Sequence, residues 1–331
     1  MDFSEVSRLF KEDLSKVESA IKNNYKSDIP LIPGIGNHLM NGGGKRIRPL
    51  LVLISSKLFD AEIDERIIRH CCVVEFIHAA TLLHDDVVDA TTVRRGHQPV
   101  NSKWGSDASI LIGDYFLSRA ILLLANHCEP KIIQAISRSA KILVEGGILE
   151  FTHARRLDVT EDLLMDIMYR KTASIISVSC QLGALLASAD AEIEKTLISF
   201  GDDFGIAFQL VDDVMDYDGN EELLGKPAGN DFKEGHVTLP LLHLYKNSNR
   251  SLKREIEEFI KNEHLTSKEL EYIVERLREG KAIEYTLDKA RFHLERAKTT
   301  LKNVKSFSPK YLEAMLAVAD YIIERHTATK A

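Results

Sequence analysis

The sequence is poor in everything that breaks, staples or exports a chain. Only 8 of its 331 residues are proline, and Pro30, Pro33, Pro49, Pro99, Pro130, Pro227, Pro240 and Pro309 stand mostly at breaks between periodic segments. No stretch alternates polar and apolar residues as a strand does, and no Ser/Gly-rich linker divides the chain. Four cysteines (Cys71, Cys72, Cys128, Cys180) form neither a paired metal spacing nor a disulfide framework, which predicts a reduced, cytoplasmic setting. There is no basic excess: the net charge is −7 without a basic stripe, which argues against nucleic acid as a partner. The N-terminus, MDFSEVSRLFKEDLSKVESAIK, is charged throughout and lacks an apolar signal segment, so export is not expected. The longest uncharged stretch, residues 173–189, is somewhat short of the ~20 apolar residues of a span. It carries Ser174, Ser177, Ser179, Gln181 and Ser188 and reads as a buried core helix, so no membrane span is expected.

What remains is helix. Hydrophobic content of 44% and charged content of 28% are ordinary for a globular protein. Helical periodicity predicts helices over about 3–24, 28–41, 49–58, 64–89, 103–127, 130–153, 160–189, 191–218, 237–247, 251–262, 267–279, 281–303 and 309–326. Those between 64 and 218 are long and apolar and should form the centre of a bundle, with the Glu- and Lys-rich C-terminal third at its periphery. The expected fold class is all-α, one large helical bundle in a single domain over 1–331.

Two aspartate clusters interrupt this apolar pattern: Asp85-Asp86-Val87-Val88-Asp89 and Asp212-Asp213-Val214-Met215-Asp216. Helical residues four apart share a face, so Asp85 with Asp89, and Asp212 with Asp216, aim acidic groups the same way. Like charges at that spacing repel by roughly 0.2–0.5 kcal/mol per pair. A solvated acidic face is the plain alternative, but two clusters of identical spacing beside apolar residues favour a bound cation. Carboxylate oxygens suit Mg²⁺, which is commonly shared with substrate phosphates.

Other polar groups gather around these clusters. His78 lies seven residues before Asp85, about 20° away on the same face, whereas His84 points elsewhere and reads as structural. Gln209 shares the face of Asp213 and Asp216, a place for an amide that binds an anionic ligand or orients a carboxylate, with a buried structural amide as the plain alternative. Lys171-Thr172 interrupts an apolar helix, where the cation needs a partner, a phosphate or a plain salt bridge. Basic loops follow the same theme: Gly42-Gly43-Gly44-Lys45-Arg46-Ile47-Arg48-Pro49, with proline expected at a first helical position, then Arg94-Arg95-Gly96, then Gly225-Lys226-Pro227. Arginine forks suit phosphate oxygens. Two basic sets beside two acidic ones suggest two phosphorylated ligands.

LLHDDVVDATTVRRG resembles the first aspartate-rich region of the trans-prenyl diphosphate synthases, and FQLVDDVMDYDG followed by GKPAGNDFKEG resembles the second. GGGKRIRP, Phe76-Ile77-His78 and Lys171-Thr172-Ala173 match the remaining motifs in family order and spacing. The resemblance spans residues 40–245 and is nearest to the bacterial long-chain members, the octaprenyl and related polyprenyl diphosphate synthases. It implies an all-helical fold with a central deep cavity, a homodimer, and a membrane-soluble product. It also implies that Asp85, Asp86, Asp89, Asp212, Asp213 and Asp216 hold about three Mg²⁺ on an allylic diphosphate, with Asp85, Asp89, Asp212, Asp213 and Asp216 as the metal ligands. Arg94, Lys171, Thr172, Gln209 and Lys226 would grip the same diphosphate, Lys171 as part of the catalytic set. Lys45, Arg48, His78 and Arg95 would bind isopentenyl diphosphate. One position departs from the family, where His236 stands in place of the usual lysine and could supply its charge only when protonated.

The same resemblance implies that product length is set just before the first cluster. The small residues Ala80 and Thr81 should leave the cavity open there, with close helix packing as the plain alternative; the resemblance favours Ala80 as its lining, the helical wheel Thr81, which lies about 40° from Asp85. A terpene cyclase would mix Asn, Ser or Thr with Glu in its second metal motif. An inactive subunit of a heteromeric synthase would lose aspartates, and a di-iron bundle would want Glu-x-x-His pairs. A shorter-chain synthase making farnesyl or geranylgeranyl diphosphate stays open.

Overall fold

Helix starts are marked by side chains that accept the first free backbone N–H groups. Asp2 and Glu5 form a capping box at α1 (Phe3–Leu9), Asp64 caps α5 (Glu65–Val88), and Thr160 caps α9 (Glu161–Met168). In this computed structural model, which describes residues 1–41, 44–93, 96–127, 129–219, 229–262 and 265–328, the other helices follow in order. They are α2 (Lys11–Asn24), α3 (Leu31–Asn41), α4 (Ile47–Lys57), α6 (Val100–Trp104), α7 (Ser106–His127), α8 (Pro130–His153), α10 (Ser174–Leu186), α11 (Ala191–Asp218), α12 (Asn230–Glu234), α13 (Leu239–Asn247), α14 (Arg250–Phe259), α15 (Ser267–Glu279), α16 (Ala282–Lys302) and α17 (Pro309–Ala328). A π-helical turn, Tyr169–Ala173, joins α9 to α10. No strand is among the described elements, so the all-α fold class holds.

The chain divides into two compact units: Met1–Ala140 with Ile175–Gly201 and Thr299–Val318, and Lys141–Ser174 with Asp202–Lys298 and Ala319–Ala331. In the first, α5 is surrounded by α2, α4, α6 and α7. That enclosure explains why it carries apolar residues on every side, from Ile67 to Leu83. Phe76 of α5 stacks on Phe116 of α7, centroids 5.4 Å apart, and Tyr25 meets Phe116 edge-on at 6.2 Å. In the second, α13 packs on α9, α14 and α15, and Leu242 joins Val159, Leu164 and Ile167 in a buried cluster.

Several predicted helices are divided. The segment 3–24 turns at Phe10, whose buried ring lies 6.0 Å from Tyr311. The segment expected from 103 begins as the short α6, breaks at Gly105 (φ +89°) and resumes as α7. Helix 160–189 is interrupted by the π-turn and stops at Leu186, with Ser188 left-handed at φ +53°. Pro49 is the third residue of α4 rather than its first, a place where the N–H it lacks would still have had no intrahelical acceptor. α12 had no sequence signal. One stretch of α7, Ser106–Asn126, is long and apolar enough to cross a membrane by length and composition. It packs Ile112, Phe116, Ala120 and Leu124 inward and leaves Ile110, Leu111, Leu117, Ile121 and Leu122 exposed.

Candidate active site

The first acidic cluster sits at the C-terminal end of α5, inside the first unit. Asp85 and Asp89 are half-buried and Asp86 is 1 % exposed. The Asp89 N–H donates to the Asp85 carbonyl at 2.8 Å, which keeps the two residues one turn apart, as the spacing predicts. The helix then closes through Ala90 N–H to the Val87 carbonyl (3.3 Å) and Thr91 N–H to the Asp86 carbonyl (3.0 Å). Ala90 takes the left-handed conformation (φ +49°) that glycine usually fills, at a cost of about 1–2 kcal/mol. Asn101 of α6 offsets this, its amide donating to the carbonyls of Asp86 (2.6 Å) and Thr91 (3.0 Å).

Further back on α5, His78 is half-buried, Ala80 is buried, and Thr81 is half-buried with its hydroxyl donating to the His78 carbonyl (2.8 Å). His84 lies against α7, 3.3 Å from the Ile110 carbonyl and 3.4 Å from Asp114. A Cβ on Gly113 would come within 2.3 Å of the His84 ring, which explains the glycine. Lys45 is exposed and Arg48 half-buried where α4 begins, and Arg46 between them is left-handed at φ +48°. Arg94, Arg95 and Lys226 lie outside the described residues.

The second cluster ends α11, inside the second unit, and hydrogen bonds hold its carboxylates. Asp213 is 3 % exposed and accepts from the Gln209 amide at 2.7 Å; Gln209 in turn accepts the Thr172 hydroxyl at 2.6 Å. In this arrangement Gln209 orients a carboxylate, one of the roles its position allowed. Asp216, 1 % exposed, accepts the Asp231 N–H at 2.9 Å. Half-buried Asp212 accepts from Arg325 of α17 at 2.7 Å, and that guanidinium lies 4.6 Å from the Phe208 ring. Burial, then the charge of Asp231 and those of Asp212 and Asp216, push the Asp213 carboxyl well above its usual range.

Lys171 stands in the π-turn and ion-pairs with Glu150 of α8, while His236 Nδ1 lies 3.4 Å from the other Glu150 oxygen. Burial alone would raise the Glu150 carboxyl, but the His236 hydrogen bond and the Lys171 charge outweigh it and pull it down to about 2. The position that departs from the family thus adds a second partner to the carboxylate that holds Lys171. Two glycines let neighbouring helices reach this turn: a Cβ on Gly146 would sit 2.7 Å from Arg170 Cβ, and one on Gly205 2.4 Å from Ala173 Cα.

The pattern of motifs has counterparts in known proteins. Residues 29–277 match the model of the family described as polyprenyl synthetase. The chain belongs to that family. It is a trans-prenyltransferase, as its motifs imply. It is 33% identical over 326 residues to the octaprenyl diphosphate synthase of Haemophilus influenzae, covering 98% of both chains. It is 31% identical over 332 residues to the geranylgeranyl diphosphate synthase of Saccharolobus solfataricus, covering 98% of this chain and 99% of that one. A crystal structure of a Caulobacter crescentus polyprenyl synthase complexed with calcium and isoprenyl diphosphate superposes with a TM-score of 0.93, at 33% identity and 98% coverage of each chain.

The donors of this prenyltransferase fit a hard divalent cation. Each cluster offers carboxylate oxygen alone. Both lie at helix C-termini, where the helix dipole disfavours negative charge, and neither last turn carries a basic residue. Asp213, buried among like charges, is costly to ionise without a cation. Asn101, Glu150, Asp231 and Arg325 were missed by sequence reasoning, because each acts through a partner distant in the chain. Two local signals were available: Asp231 lies within GKPAGNDFKEG, and Arg325 is a cation on the last helix.

Proposed function

We propose that this prenyltransferase adds isopentenyl diphosphate units head to tail to an allylic diphosphate, giving a long all-trans polyprenyl diphosphate of about octaprenyl length for a quinone side chain. The observation that carries the reading is the duplicated Asp-Asp-x-x-Asp, each copy at the unfavourable end of a buried helix. Asp85, Asp89, Asp212, Asp213 and Asp216 would hold Mg²⁺, about three ions per site, with Asp86 completing the acidic set. When bound, the ions neutralise the charge that develops on the departing diphosphate. The whole chain, 1–331, acts as one catalytic domain on this reading, supported by a family match that runs through both units.

The chain's own groups divide the remaining work. Lys171 and Thr172, with Gln209, Arg94 and Lys226, grip the allylic diphosphate, and Lys171 must exchange Glu150 for a phosphate oxygen to do so. Lys45, Arg48, His78 and Arg95 hold isopentenyl diphosphate so that its double bond faces the allylic C1. The C1–oxygen bond breaks, a carbon–carbon bond forms, and the proton lost from the isopentenyl unit passes to the released diphosphate. Apolar walls such as those near Ala80 exclude water and offer the cation no nucleophile. The exposed apolar residues of α7 support a homodimer through that helix rather than a membrane span, since Asp107, Asp114 and Arg119 punctuate it. A cytoplasmic enzyme without a nucleic-acid partner is consistent with the acidic chain.

Purified protein incubated with labelled isopentenyl diphosphate and farnesyl diphosphate, with and without Mg²⁺, tests the reading directly. Metal-dependent products near octaprenyl length are expected; no condensation refutes the reading. The likeness to the geranylgeranyl synthase supports a second outcome, products that stop at that length. Ala80→Phe should shorten the products to about farnesyl or geranylgeranyl length while leaving the first condensation intact. Unchanged long products from both Ala80→Phe and Thr81→Phe would place the growing chain elsewhere.

A further inference from the structure

We propose that Arg46 is a positioning residue that aims the isopentenyl diphosphate cations without touching substrate, an inference that rests on the reading of Lys45, Arg48 and His78 given above. Arg46 stands between the exposed Lys45 and the half-buried Arg48, yet its own side chain turns inward and is only 11% exposed. Nε donates to Glu18 of α2 at 2.5 Å and Nη2 to the second Glu18 oxygen at 3.4 Å. Nη2 also donates to the Met40 carbonyl at 2.8 Å, and Nη1 to Glu75 of α5 at 2.6 Å. One guanidinium therefore ties together four things: the end of α3, the start of α4, α2 and α5.

Each tie has a consequence for the loop. Holding the Met40 carbonyl ties the end of α3 to Arg46. The Arg46 carbonyl accepts the Leu50 N–H at 2.8 Å, so the same residue fixes the first turn of α4, on which Arg48 lies. Glu75 is buried and precedes His78 by three residues, one turn along the same side of α5. The ion pair thus sets the loop cations against the helix that carries His78. The left-handed backbone at Arg46 is kept by these bonds rather than by glycine's freedom. A lysine keeps the charge but cannot make the fork.

The test compares Arg46→Lys and Glu18→Gln with Lys45→Ala, following kcat and the Michaelis constants of both substrates, with circular dichroism and melting temperature as folding checks. Glu18 is partly exposed and lies on α2, so its substitution leaves Arg46 chemically intact and only loosens its aim. Arg46→Lys and Glu18→Gln should each raise the Michaelis constant for isopentenyl diphosphate, Arg46→Lys by about tenfold, while that for the allylic substrate stays within about twofold. An unchanged isopentenyl constant in folded Glu18→Gln overturns the proposal whatever Arg46→Lys does, as does an equal rise for both substrates. If Lys45→Ala raises that constant while both other variants leave it alone, the loop is the isopentenyl site and Arg46 has no part in aiming it. If Lys45→Ala also changes nothing, the assignment of the loop falls and the Arg46 inference falls with it.

Discussion

The two aspartate clusters share a spelling and little else. The one on α5 is set by backbone: a left-handed Ala90 closes the helix, and Asn101 holds the Asp86 and Thr91 carbonyls. The one on α11 is held through its carboxylates: the Gln209 side chain on Asp213, the Asp231 backbone N–H on Asp216 and the Arg325 guanidinium on Asp212. A repeated motif therefore fixes where carboxylates stand along a helix but not what restrains them. The first cluster is shaped by how its helix ends, the second by a backbone N–H brought from α12 and a guanidinium from α17.

The largest effect tests whether the two are equivalent in catalysis. Asp85→Ala and Asp212→Ala should each reduce condensation by on the order of 10³-fold, with far-UV circular dichroism unchanged. Near-wild-type turnover in Asp212→Ala alone would mean that the Arg325 pair is structural and that the second cluster is not a metal site. Acid stability should separate the regions next. The Glu150 carboxyl falls from an ordinary 4.5 to about 2 on folding, so its contribution is present above pH 4.5 and lost as pH drops from there toward 2. Urea unfolding of Glu150→Gln over that window should show a pH dependence smaller by about 2–3 kcal/mol than wild type. An identical acid limb would show that Lys171 and His236 do not hold it.

Burial offers a finer contrast. Without metal at neutral pH, Asp213→Asn should raise stability by about 1–2 kcal/mol, whereas half-buried Asp85→Asn should change it by less than about 0.5 kcal/mol. Equal shifts would erase the difference between the clusters. The smallest effect belongs to Asn101→Ala, expected to cost about 1 kcal/mol and to speed amide exchange at Asp89 and Thr91 while leaving the α11 amides protected.

Much of this was legible in the sequence. The periodicity over 130–153, 191–218 and 267–279 predicts α8, α11 and α15 to the residue, and both clusters fall on helices as their spacing requires. The break at Phe10 escaped because the apolar pattern runs through it and only the distant Tyr311 explains it. Residues 160–189 read as one helix because a π-turn preserves the local composition it interrupts. Glu150, Asp231 and Arg325 escaped for another reason: a charge declares its partner only when the chain has folded, and theirs are 21, 15 and 113 residues away. Asn101 reads as an unremarkable polar residue until the end of α5 is seen beneath it.

The π-turn also constrains how genes for such a chain can change length. It accommodates about one residue more than an α-helical turn would, and each residue of an α-helix turns the chain by about 100°. Removing a single codon from the stretch Tyr169–Ala173 would let the segment relax into continuous α-helix with the register beyond the turn nearly unchanged, because the turn already absorbs the extra residue. The side chains that now meet Glu150 and Gln209 would lose their partners together. A loss of length there would be felt inside the turn, where Lys171 and Thr172 stand, rather than along the helix beyond it.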